Sequence, residues 1–187
     1  MNQNEKALEL LEVIKVLESD MKFAVQNFND STDSNFDFWA RTYVKTLGSW
    51  IEGNLWVYKY ILVNSNIPKA LGFSIEEQLY LQEASWKVDN RSEIKVEDKK
   101  IGVKQNIKAF MKLMSKHSSS SFEDLSGNGW KGLEQFFDIR DRLMHPKSLN
   151  GLNVNKNQIH AIEKGRIWLR SNFNAVQEVI KTASYKV

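Results

Sequence analysis

The chain has 187 residues, no cysteine and a formal net charge of +3, with 42% hydrophobic and 26% charged residues. That length suits one domain with a real core. The lack of cysteine excludes disulfides and thiolate metal sites, and so small a net charge neither demands nor forbids a nucleic-acid partner. The start, Met1-Asn2-Gln3-Asn4-Glu5, is polar and does not read as a signal peptide. The most apolar stretch, from Trp39 to Val63, is interrupted by Arg41, Lys45, Glu52 and Lys59 and is no membrane span. The expectation is a single cytoplasmic domain over residues 1–187 with no membrane partner.

Two prolines and nine glycines are few for a turn-rich all-β fold. Apolar residues instead recur at intervals of three and four. A first helix is expected from about Asn4 to Asn27, carrying Ala7, Leu10, Ile14, Met21 and Ala24, before a loop at Asn29–Ser34. A second should run from about Asn35 to Val63, with Tyr43, Val44, Leu47, Trp50, Ile51 and Leu55 on one face and Asn64, Asn66 and Pro68 marking its end. Ser74-Ile75-Glu76-Glu77 reads as a capping box opening a third helix to about Val88. Asp89 to Lys100 is polar and unperiodic, suiting a loop or small hairpin. A fourth helix carries Val103, Ile107, Phe110, Met111 and Met114, and the serine run Ser118–Ser121 is a connector. A fifth begins near Asn128 with Trp130, Leu133, Phe136 and Phe137 and stops at Pro146. Asn150-Gly151 is a turn, and a last helix runs from about Lys156 to Ala183. The pattern predicts an all-α bundle of about five to six helices, with an irregular or hairpin insertion near residues 89–101.

The chemically pointed segment is Arg140-Asp141-Arg142-Leu143-Met144-His145-Pro146 at the end of the fifth helix. Asp141 and His145 are four apart and share a helix face, within hydrogen-bonding reach. Arg140 and His145 are five apart and diverge on an ideal helix. A residue before proline is pushed out of the α region, however, so His145 is expected at or just past the helix end, free to turn toward Arg140. A guanidinium binds phosphate in a bidentate way and stabilises a crowded anion. An imidazole moves protons near neutral pH. The same residues also suit a plain helix end, where a cationic His answers the macrodipole and Asp138 and Arg142 form an i,i+4 pair.

Arg140, Asp141 and His145 resemble the Arg-x4-6-His motif of the HEPN superfamily, the nucleotide-binding domains of higher eukaryotes and prokaryotes, in which a polar residue follows the arginine. The resemblance implies a helical bundle with the motif late in the chain. It further implies a metal-independent endoribonuclease of the kind found in toxin–antitoxin and phage-defence systems, with no cofactor and a homodimer joining two motifs in one RNA-cutting cleft. Under it, Arg140 would hold the scissile phosphate, His145 would act as acid or base, and Asp141 would fix the imidazole tautomer. The alternative is a non-catalytic HEPN-like interaction or nucleotide-binding module partnering another protein, such as an antitoxin.

Other features have two readings each. Lys104, Lys108, Lys112 and Lys116 recur every four residues on the fourth helix. They would make either a track for an RNA backbone, with Lys147 just past the motif adding to it, or the solvated face of an amphipathic helix. On the second helix, Gly48 and Gly53 would admit a neighbouring backbone. Glu52 is a candidate support for Arg140, or for an arginine across a dimer, or else a partner of Lys45. Trp56, on the same stripe, is expected to be covered. His117 reads as a solvated helix-end residue, and the six tryptophans as mostly core. His160 and Glu163 could share a face, but two ligands make no metal site, and none is expected.

Overall fold

The computed structural model describes residues 3–118 and 120–185; Ser119 and the side chains of residues 3–5, Ala7, Leu8, Trp86 and Val88 lie outside these. Seven helices and one two-stranded hairpin make up the regular structure among the described residues: α1 (Gln3–Asn29), α2 (Phe36–Val63), α3 (Ile67–Ala70), α4 (Ile75–Leu81), β1 (Ala84–Val88), β2 (Ile94–Asp98), α5 (Val103–Lys116), α6 (Asn128–Met144) and α7 (Lys156–Ser184), with a 3₁₀ turn at Leu149–Leu152. The fold is all-α with this small hairpin. No described helix is long and apolar enough to cross a membrane. The chain divides into two compact units, Met1–Leu55 with Glu123–Phe173, and Trp56–Phe122 with Asn174–Val187.

In the first unit the helical apolar spacing buries Leu10, Ile14, Met21 and Ala24 from α1; Tyr43, Val44, Leu47, Trp50 and Ile51 from α2; Leu133, Phe136 and Phe137 from α6; and Ile162, Leu169 and Phe173 from α7. Each large side chain removed from water contributes roughly 1.5–3 kcal/mol toward offsetting the entropy of ordering the chain. Trp50 meets Phe173 edge-on with ring centres 5.5 Å apart, and Trp130 meets Trp168 at 5.8 Å. Helices α6 and α7 come into backbone contact. A Cβ on Gly132 would stand 2.4 Å from the Ala161 carbonyl oxygen, and one on Gly165 would stand 2.5 Å from the Leu133 nitrogen.

In the second unit α5 turns Ile107, Phe110, Met111 and Met114 inward. Helix α2 ends at Val63, as expected from Asn64, Asn66 and Pro68, and Pro68 itself sits in the first turn of α3, where its missing N–H costs nothing. The capping box at Ser74 is formed, the Glu77 amide donating to Ser74 Oγ and the Ser74 amide to the Glu77 carboxylate. Yet α4 ends at Leu81 rather than near Val88. Glu83 then takes a left-handed conformation (φ 51°), and Ala84–Val88, where apolar and polar residues alternate with period two, becomes a strand. It pairs antiparallel with Ile94–Asp98 in the register Ala84↔Asp98 to Val88↔Ile94. The hairpin thus starts several residues before Asp89.

The tryptophans divide. Trp50, Trp130 and Trp168 are core, but Trp56 is 55% exposed, against the expectation that it would be covered. It rests against Tyr60, ring centres 5.5 Å apart.

Candidate functional site

Helix α6, the fifth of the helices expected from sequence, carries the Arg–His segment in the first unit. Its inward residues, Leu133, Phe136, Phe137, Ile139 and Leu143, anchor it, and this leaves Arg140 at the edge of the buried face. The Arg140 side chain is 26% exposed. Its Nη2 donates to Glu52 Oε1 at 2.7 Å, and its Nη1 lies 3.4 Å from Asp141 Oδ1. The first contact is a strong charge-assisted hydrogen bond; the second is long enough to be weak. Around this guanidinium α2 has no side chain at position 48: the three heavy atoms nearest to a Cβ there would be Arg140 Nε at 3.3 Å, Phe136 Cζ at 3.6 Å and Arg140 Cδ at 3.7 Å. What approaches Gly48 is therefore a side chain, not the backbone expected. The same holds at Gly53, where the Leu17 side chain fills the space.

His145 is the C-cap of α6. Its N–H still donates to the Asp141 carbonyl at 3.0 Å, while its own backbone (φ −129°, ψ 61°) has left the helix, as Pro146 requires. Its side chain is exposed. The Asp141 carboxylate faces the Arg140 guanidinium, and among the described residues no hydrogen bond joins it to the His145 ring.

The segment after His145 is held by two arginines that the sequence did not single out for this. Arg142 Nη2 donates to the Asn153 carbonyl at 2.7 Å and Nη1 to Asn150 at 3.5 Å, while Arg41 Nη1 reaches the Leu152 carbonyl at 3.5 Å. The 3₁₀ turn is thereby drawn back onto the helix end, with Gly151 against Pro146 and the Arg142 stem. Lys147 lies in this segment and is exposed. No sequence signal distinguishes Arg142 from a surface cation, because its partners are carbonyls.

The lysine ridge belongs to the second unit. Lys104 and Lys108 are half-buried and Lys112 is exposed; Lys116 is engaged by Glu77 at 2.7 Å. His117 corrects the expectation of a solvated helix end. Its ring packs on Phe73 with centres 4.7 Å apart, Nδ1 lies 3.0 Å from the Leu71 carbonyl and Nε2 2.9 Å from Glu77 Oε2. The ring closes the end of α5 over the α3–α4 turn, which the serine-rich context conceals. Burial alone would raise the Glu77 carboxyl, but Lys116, the Ser74 amide and His117 outweigh it and hold the group at about 2.

Two further polar clusters are structural in form. In the first unit the buried Tyr43 hydroxyl donates to Glu163, which Arg166 also clasps with Nη2 at 2.7 Å. Burial first, then the Glu163 charge, pushes the Tyr43 hydroxyl far above its ordinary range. His160 lies beside a shallow cavity of about 330 Å³ lined also by Phe28, Phe36, Lys156 and Glu163. In the second unit Lys59, only 5% exposed, donates to Glu83 at 2.8 Å and to Asn106 at 3.1 Å and lies 4.6 Å from the Tyr80 ring centre. Among the described residues no group of three or more His, Asp or Glu side chains is placed to hold a metal ion.

Comparison of the chain with protein-family models, with curated proteins and with solved structures returns no match.

Proposed function

We propose that the chain is a HEPN-like endoribonuclease that cuts RNA without a metal, acting as a homodimer in a defence or toxin–antitoxin setting. One observation carries the reading: Arg140 is held from one side by Glu52 at 2.7 Å yet remains 26% exposed, while the exposed His145 leaves the helix five residues later. A held cation and an exposed, unengaged imidazole at one helix end are the minimum equipment for transesterification by a 2′-hydroxyl. His145 takes the proton from that hydroxyl, or gives one to the departing 5′-oxygen. Arg140 stabilises the crowded phosphorane anion and stays charged throughout. The new P–O bond closes a 2′,3′-cyclic phosphate and the old P–O bond releases a 5′-hydroxyl. Asp141, Lys147 and the lysines Lys104, Lys108 and Lys112 would hold or orient the strand and the motif. Two copies would bring two motifs to one cleft.

The deciding experiment compares wild type, Arg140→Ala and His145→Ala on a mixed-sequence RNA in EDTA. The expected result is cleavage leaving cyclic phosphate ends, lost by roughly 10²-fold or more in each variant, with Asp141→Asn losing less. Cleavage that needs Mg²⁺, survives deoxyribose at the cut, or persists in His145→Ala defeats the proposal. A second reading, a non-catalytic module that binds a partner protein, is favoured by large apolar side chains left in water in the first unit, Phe23 at 62% and Phe38 at 56% exposure. It predicts no cleavage by wild type and capture of a partner that Phe38→Glu abolishes.

A further inference from the structure

We infer that the turn of α2 from Gly48 to Glu52 is a seat that sets the direction of the Arg140 guanidinium, with Gly48 and Glu52 as its positioning residues. The seat follows from geometry alone; its catalytic consequence rests on the ribonuclease reading above. Gly48 lies well inside the 28-residue helix α2, where alanine is the better helix former. The atoms nearest to a Cβ at that position belong to Arg140 and Phe136. The glycine therefore makes room for the Arg140 stem, which lies across the α2 backbone with the fully buried Phe136 as its other wall. One turn further along α2, on the same face, Glu52 takes Nη2. A steric stop beside Nε and a charged anchor at Nη2 fix a planar group at two points, and two points set its orientation. A guanidinium has five N–H donors; Glu52 engages Nη2 and Asp141 lies only within a weak 3.4 Å of Nη1, so the partly exposed group keeps donors for a second anion. A surface ion pair made only for stability contributes little and needs no missing side chain beneath it.

The test uses full-length protein labelled with ¹⁵N-arginine. The Arg140 Nε–H resonance is assigned by its loss in Arg140→Lys. In wild type it should be restrained. Gly48→Ala should shift it, Glu52→Ala should make it mobile, and Glu52→Gln, whose amide oxygen still accepts, should restore much of the order. On a fluorogenic mixed-sequence RNA, Gly48→Ala and Glu52→Ala should lose on the order of tenfold in kcat with a smaller change in KM. Melting temperature should fall little, and Glu52→Gln should be partly rescued. An Arg140 signal that is mobile in wild type, or unmoved by both substitutions, overturns the seat. So does a gain of RNA affinity and rate in Glu52→Ala, which would make Glu52 a mask. If the resonances behave as expected and wild type cuts no RNA, the seat stands and the ribonuclease reading falls.

Discussion

Gly132 and Gly165 lie backbone to backbone where α6 crosses α7: a Cβ on Gly132 would be 2.7 Å from the Gly165 nitrogen, and one on Gly165 would be 2.7 Å from the Gly132 carbonyl carbon. Neither obstacle is a side chain that could swing aside. Alanine gains about 1 kcal/mol in helix propensity over glycine, but overpacking a fixed contact costs typically 1–3 kcal/mol, more where backbone must move. Gly165→Ala should therefore lose about 2 kcal/mol or more net, a fall of roughly 4–8 °C in melting temperature. A variant as stable as wild type would mean that the helices part without penalty.

Lys59 and Glu83 should respond unequally to loss of the partner. Burial pushes the Lys59 pKa down, with Glu83 pulling it back. Lys59 is 5% exposed, whereas the Glu83 side chain is 44% exposed and can turn to water. Glu83→Ala strands a buried cation and should cost about 2–3 kcal/mol; Lys59→Met should cost less. In Glu83→Ala the lysine pKa falls further, so the native state binds fewer protons than the unfolded one. Stability should then rise with pH on the approach to about 10.4, the ordinary lysine value. Urea denaturation of both variants across that range checks the ranking and the slope, and the reverse ranking would contradict the assignment.

Glu77 gives an acid limb. Its folded-state value of about 2 lies below the ordinary glutamate value of about 4.3. Its contribution is fully present above the ordinary value and is lost as pH falls from there through about 2. Stability of wild type should drop across this window, and Glu77→Gln should drop less while being less stable at pH 7. Equal acid limbs in the two proteins, measured by denaturant titration, would show that the Lys116, Ser74 and His117 contacts do not hold the carboxylate.

The lysine ridge is tested by salt. If Lys104, Lys108 and Lys112 meet an RNA backbone, replacing all three with alanine should weaken binding and flatten the plot of log affinity against log salt by about 2, since each single-strand phosphate contact contributes roughly 0.7. Lys116→Ala, whose ammonium is engaged by Glu77, should leave that slope nearly unchanged. An unchanged slope in the triple variant makes the ridge a solvated face.

Long periodic segments were the legible part of the sequence. Tyr43, Leu47 and Ile51 repeat at helical spacing and are all buried, as are Ile107, Phe110 and Met114. The segment after the capping box at Ser74 misled because a cap marks where a helix starts and says nothing of where it stops. The stop depends on Glu83, an ordinary residue in a left-handed conformation, held by Lys59 and Asn106 from distant parts of the chain. The placement of His145 off the helix was readable from Pro146, a local steric rule. The surroundings of Arg140 were only half readable. Gly48 and Glu52 stand out on α2, but that they meet one arginine on α6 is a tertiary fact, and Arg41 and Arg142 act on carbonyls that no side-chain pattern encodes.

The order in which the chain visits its two units has a kinetic consequence. Residues up to Leu55 belong to the first, Trp56–Phe122 to the second, Glu123–Phe173 to the first again, and Asn174 onward to the second. Neither unit can be finished during synthesis until the chain has come back to it. Glu52 leaves the ribosome long before Arg140, and α6 has no docked surface on α7 until Gly165 has been made. The equilibrium cost of closing so long a loop is modest, because it grows only as the logarithm of loop length. The delay is the larger effect: such non-local contacts slow folding and leave the early helices exposed to solvent and to chaperones meanwhile. A nascent chain would thus carry no assembled Arg140 site for most of its translation.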